Sequence, residues 1–413
     1  MQMKIGRNAA LAALIVLGAG VAAVPDPADA QGRASAPTLS KAEREALFRL
    51  QSSFDAGDFA GATAALVAAK SVASGPDARF YAAQYEYQIG VRTNNYAMQS
   101  EGLEAMIASG RVPAQDLPAL YSQLGSVSYN YMQSLDRAER YIAQQVELAP
   151  NDPVAIANLA RVKRDRKKYN EALPLLVRAI AARRASGQPA PDNWYKMGID
   201  MAYAAKNGPQ AAALGRELVS TYPSPENWRD VLLIQRDLQA GTDPAMRADL
   251  YRLLRATKGL SGERDYYDAA AALQAAGAPA EAQKVVQEGV STKMVDPGKV
   301  AAKDYLTKLD PRITRERGAL AVQKTRALAA AAGGPALAAG DAYLGFGEYT
   351  DAASLYRAAV QKGSVDADLA TLRLGIALAL GGQRAEAEAA LRAVSGARGD
   401  LAGYWLAWLA RSA

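Results

Sequence analysis

Residues Pro153 to Arg184 read PVAIANLARVKRDRKKYNEALPLLVRAIAARR. Apolar residues recur at i, i+3, i+4 and i+7 on both sides of a basic turn, the spacing of amphipathic helices rather than the alternation of a strand. Leu159 and Ala160 fall together on a first helix, and Tyr169, Ala172, Leu176 and Ala179 on a second. Asn170 is placed to cap the second helix. Pro174 then falls at the end of its first turn, where most amide protons lack an intrahelical acceptor and the missing one costs least. The basic run RVKRDRKK, Arg161 to Lys168, splits on such a pair. Arg161 and Arg164 belong to the open face of the first helix, whereas Lys163, Arg166, Lys167 and Lys168 belong to a solvated bend.

The same pattern recurs along the chain. One step earlier, LDRAERYIAQQVELAPNDP repeats it with Ala138 and Ile142. Towards the end, Tyr349, Ala352, Tyr356 and Ala359 repeat it, followed by Ala387, Leu391 and Val394. A small residue precedes each second-helix alanine at the same distance: Ala160 before Ala172, Gly340 before Ala352 and Gly375 before Ala387. Two antiparallel helices need small side chains where their axes approach and large ones to fill the flanking space. A single pair cannot bury its outer apolar face, so identical pairs stack.

This pattern resembles the tetratricopeptide repeat family, whose unit is a 34-residue helix-turn-helix. The resemblance implies an all-α fold, a right-handed superhelical solenoid of antiparallel helix pairs, over residues 43–401. The clearest repeats are 119–152, 153–186, 191–224, 263–296, 333–366 and 368–401, with divergent pairs at 78–118 and 297–332. Within the last of these, DPRITRERGALAVQKTRALAAAA predicts one longer helix with Pro311 in its first turn. The final segment, 402–413, is too rich in Tyr404, Trp405 and Trp408 to stand in water and predicts a capping helix.

Residues 1–30 carry Lys4 and Arg7, then an apolar run from Ala9 to Val24, then Ala28-Asp29-Ala30. A cationic start, a short apolar core and a small-residue exit predict a cleavable secretory signal. Residues 31–42 read as a flexible linker. The expected location is the periplasm of a Gram-negative bacterium. Two cations and two anions would leave with the signal, so the net charge of +6 is unchanged. No later stretch is apolar and long enough to span a bilayer, although contact with a membrane surface stays open.

The sequence contains neither cysteine nor histidine. Zinc sites with Cys or His ligands, Ser-His or Cys-His nucleophile pairs and redox dithiols are therefore excluded, and no cofactor is expected. Carboxylates such as Glu101, Glu104, Asp265 and Asp268 are scattered over helices rather than paired as in a glycoside hydrolase, so an enzyme is not expected. The basic run lacks interleaved aromatics, which argues against nucleic acid.

The resemblance implies binding of a protein or peptide in the concave groove lined by first helices. The positions it assigns to that groove are Gln123, Asn130 and Tyr131 in one repeat, and Arg161 and Arg164 in the next. Tyr195 and Tyr203 follow, then Arg229 and Arg236. Tyrosine offers rigid amphipathic area and arginine a forked donor for carboxylates. Against this stands the reading that Asp165, Glu226 and Asp237 neutralise the arginines. A scaffold in cell-envelope assembly is the expected role, and an accessory polysaccharide-binding protein for export the alternative.

Overall fold

A computed structural model describes residues 37–238 and 243–411. The expected signal segment lies outside the described residues. Among the described residues every regular element is helical. The chain divides into two compact units, one through Gln188 and one from Pro189.

Unit 1 holds four helix pairs: α1 (Lys41–Asp55) with α2 (Phe59–Val72), α3 (Pro76–Thr93) with α4 (Tyr96–Ala108), α5 (Leu117–Asn130) with α6 (Leu135–Leu148), and α7 (Pro153–Asp165) with α8 (Tyr169–Ala185). Each pair packs on the next in chain order, α2 on α3, α4 on α5 and α6 on α7. Gly125 shows why small residues sit at the contacts. A Cβ there would stand 2.4 Å from Ile142 Cγ1, so any side chain would push α5 off α6.

The pair α7–α8 shows how local sequence makes the unit. Ala172, Leu176 and Ala179 are completely buried, with Ala160 opposite them. The expected N-cap at Asn170 is corrected. Lys168 occupies the cap without a capping hydrogen bond from its side chain, and Lys167 makes the turn at φ 61°. The helix thus begins at Tyr169, two residues early, and Pro174 lies inside α8. The bend is not simply solvated either. Glu139 of α6 gathers Lys163 at 2.8 Å, Arg166 at 2.6 Å and Lys168 at 3.2 Å. Burial opposes the Glu139 charge, but these cations outweigh it and hold its carboxyl below the usual range.

Unit 2 begins with three pairs: α9 (Asp192–Ala204) with α10 (Gly208–Thr221), α11 (Pro225–Leu238) with α12 (Pro244–Ala256), and α13 (Gly262–Ala275) with α14 (Pro279–Ser291). A short α15 (Val300–Lys303) and a π turn, Asp304–Lys308, lead into the long α16 (Asp310–Ala329), which has Pro311 in its first turn. Lys362 Nζ closes the far end of α16 by donating to the carbonyls of Ala327, Leu328 and Ala330. Then come α17 (Gly334–Phe346) with α18 (Tyr349–Lys362), α19 (Ala367–Leu380) with α20 (Arg384–Arg392), and α21 (Gly399–Leu409).

The helix pairs fit a tetratricopeptide-like helical solenoid, but unit 2 does more than stack. The final helix starts at Gly399, earlier than the expected 402, and packs on α10 as well as on α20. Tyr404 and Trp405 are buried there. Arg216 of α10 pairs with Asp400 at 2.8 Å, and the Tyr404 ring meets Trp228 of α11 edge-on. Unit 2 therefore closes on itself.

A buried ionic network crosses the same unit. Asp249 of α12, fully shielded from solvent, receives Arg252 at 2.5 Å and Arg373 of α19 at 3.2 Å. Arg252 also makes a bidentate pair with Glu281 of α14, Nε to Oε1 at 3.1 Å and Nη2 to Oε2 at 2.7 Å. Arg373 reaches Asp341 of α17 at 2.7 Å, and the Tyr356 hydroxyl donates to that same carboxylate at 2.8 Å. Burial raises the Asp341 carboxyl above its ordinary value although Arg373 and Tyr356 oppose the shift.

Candidate functional site

The nine residues singled out by the groove positions divide between the units. In unit 1 they lie on α5 and α7 and at the end of α5. Tyr131 is 42 % exposed and stacks face to face on Tyr96 of α4, ring centroids 4.1 Å apart and planes 10° apart. Asn130 Nδ2 donates to Ser126 Oγ at 3.0 Å, which holds the amide against its own helix. Among the described residues, Gln123 Oε1 is buried without a hydrogen-bond partner.

On α7, Arg164 donates through Nε and Nη2 to Asp165 at 2.9 and 2.7 Å. The other Asp165 oxygen accepts from the Tyr129 hydroxyl of α5 at 2.5 Å, tying the two first helices together. Burial, then that hydrogen bond, pushes Tyr129 up to about 12. Arg161 is half-buried, close enough for its charge to act on Tyr129. The structure thus brings Arg161, Arg164 and Asp165 together around a tyrosine that the groove positions omit. The offset count passes over Tyr129, and nothing local marks it. Its role arises from a contact 36 residues away.

In unit 2 the four residues do not form one surface. Tyr195 is corrected: it is 4 % exposed and meets Tyr222 of the same pair edge-on at 6.5 Å, so its ring fills the core. An aromatic that size beside Trp194 has apolar area that is better buried than solvated. Tyr203 is 45 % exposed. Arg229 is engaged bidentately by Asp265 of α13, Nε to Oδ2 at 2.7 Å and Nη2 to Oδ1 at 3.1 Å, rather than by Glu226. The Ser261 amide donates to the same carboxylate at 3.0 Å, so this pair organises the start of α13.

Arg236 is held by Asp237 at 2.8 Å and by the Tyr251 hydroxyl at 3.2 Å. It lines a cleft of about 540 Å³ together with Arg247 and Arg264. Neither is among the residues singled out above: Arg247 lies on a second helix, and Arg264 on the first helix of the following repeat.

Among the described residues no group of three or more acidic side chains could hold a metal ion, and no helix is long and apolar enough to cross a membrane. The site is a set of aromatic and ionic side chains presented by stacked helices. Such an arrangement can hold another chain by contact and charge, without covalent chemistry.

These features define a repeat protein of stacked helix pairs. No family model and no curated protein matches the chain. Among solved structures, it is similar to a tetratricopeptide repeat protein from Parabacteroides merdae. The identity is 12 %, with 73 % of this chain and 99 % of that chain covered, at a TM-score of 0.35. It is also similar to the TPR2AB domain of yeast Sti1 in a pHSP90 complex. There the identity is 18 %, with 71 % and 99 % covered, at a TM-score of 0.20.

Proposed function

We propose that the chain is a non-enzymatic scaffold that binds a protein or peptide partner on first-helix faces, exported to the periplasm and acting in cell-envelope assembly. One observation carries the binding reading: the exposed Tyr131–Tyr96 stack beside the Tyr129–Asp165–Arg164 cluster, with Arg161 at its edge. Stacked rings cost little entropy to order, and the adjacent guanidinium supplies directional donors. The lack of any histidine or cysteine supports the non-enzymatic part. The N-terminal charge and apolar pattern supports export.

A photo-crosslinking amino acid placed at Tyr131 in native cells tests the reading. Discrete protein adducts, recovered in the periplasmic fraction and lost when Arg161→Glu is added, are expected. Adducts confined to glycan would turn the reading to the polysaccharide alternative. Absence of any adduct, or a cytosolic location, would overturn binding at this face or export respectively.

A further inference from the structure

The cleft of about 540 Å³ in unit 2 lies between α11, α12 and α13 and has no part in the unit 1 surface. Three guanidiniums face it, from Arg236, Arg247 and Arg264, against two carboxylates, Asp237 and Asp268. These charges are unequally committed. Arg236 uses Nε and Nη2 on Asp237 and Nη1 on the Tyr251 hydroxyl. A guanidinium has five N–H donors, so two of its donors remain, held in fixed directions. Arg247 is exposed and has neither a hydrogen bond nor an ion pair among the described residues. Arg264 has a side chain 90 % exposed, and its nearest carboxylate, Asp268, lies 3.6 Å away, beyond hydrogen-bond length.

We propose that this cleft binds a carboxylate-bearing peptide segment of a partner protein. One arginine is oriented in advance, Arg247 has no partner among the described residues and Arg264 pairs only loosely with Asp268, so the charge that complements the cleft is negative and forked. Ala271 and Ala275 of α13 and Pro244 of α12 also line the cleft, apolar ground that suits small side chains between acidic ones. Among the described residues the only ring lining the cleft, Tyr251, is 3 % exposed, so it presents no face on which a sugar could stack. The volume suits two or three residues and falls within the usual range of ligand clefts.

The test uses the full chain and an acetylated octapeptide alternating glutamate and alanine, titrated by calorimetry at low salt. Binding with Kd below ~1 mM is expected, with none for the glutamine counterpart. Arg247→Glu and Arg264→Glu, both at exposed positions that leave the fold intact, should each weaken it ~5-fold, and the double variant ~20-fold. Arg44→Glu, on α1 of unit 1, makes the same change in net charge and should leave affinity within ~2-fold. No binding, or equal losses in Arg44→Glu, would overturn the proposal. So would an oligogalacturonate that binds as tightly with the same arginine dependence. None of these results touches crosslinking at Tyr131, so this site and the unit 1 surface stand or fall separately.

Discussion

Unit 1 and unit 2 are built from the same helix pair but are held together differently. In unit 1 the ties between neighbouring pairs span short stretches of chain, 36 positions for Tyr129 with Asp165 and 24 for Glu139 with Lys163. In unit 2 they also join residues 124 and 184 positions apart, Asp249 with Arg373 and Arg216 with Asp400. The first kind extends an array one pair at a time, because each pair needs only its neighbour. The second kind requires several pairs to be in place together. Unit 2 should therefore lose its structure in one cooperative step, and unit 1 in smaller ones.

Arg252→Met breaks the comparison hardest. It removes the guanidinium between Asp249 and Glu281, so that Glu281 loses its ion-pair partner and the fully buried Asp249 is left to Arg373, which Asp341 already shares. Stranding buried charge costs about 4 kcal/mol, read from urea unfolding. Hydrogen exchange should rise throughout α12, α14 and α19 together while α1 to α8 keep their protection. Adding Asp249→Asn should recover part of the loss, since it removes one of the stranded carboxylates. A cost under about 1 kcal/mol, or exchange confined to α12, would show that the network does not couple the unit.

In unit 1 one buried carboxylate gathers backbone amides at its start. Glu43 is 3 % exposed, and its carboxylate accepts from the amides of Ser40 at 2.7 Å, Ser74 at 2.9 Å and Gly75 at 3.2 Å. Those backbone donors, Ser40 first, pull its pKa down to about 2. A depressed carboxyl stabilises the fold above its unfolded value and ceases to do so as pH falls through its folded value. Glu43→Gln turns an amide nitrogen towards donors and should cost about 2 kcal/mol at pH 7. The difference from the native chain should shrink between pH 4.5 and about 2 and then vanish. A gap that persists at pH 2 would mean that packing, not charge, is lost.

The contrast also marks what the sequence disclosed. Ala160, Ala172, Leu176 and Ala179 are buried as their spacing predicts, because helix pairing is set by neighbours within one repeat. Closure through α21 and the Asp249 network leave no local trace, since each side chain by itself reads as an ordinary surface charge or terminal aromatic. At the candidate sites, Asp165 and Asp237 pair with Arg164 and Arg236, as charges adjacent in the sequence allow. Tyr195 is buried by its own pair, and Arg229 is taken by Asp265 of the following pair, neither of which an offset count can see. Arg247, on a second helix, fell outside the positions counted.

The smallest effect sharpens the comparison most. Glu139 in unit 1 and Asp249 in unit 2 are each a carboxylate shared among cations, three in one case and two in the other. They differ in access to water: the Glu139 side chain retains 14 % of its surface and its cations more, while Asp249 retains none. Glu139→Gln should cost about 1 kcal/mol at low salt, as expected of a partly exposed network. In 1 M NaCl the Debye length falls to about 3 Å, and most of that cost should disappear. The Arg252→Met cost should hardly move, because ions cannot enter a dry network. If both respond equally to salt, the two units are held by the same kind of charge after all, and only the distance along the chain distinguishes them.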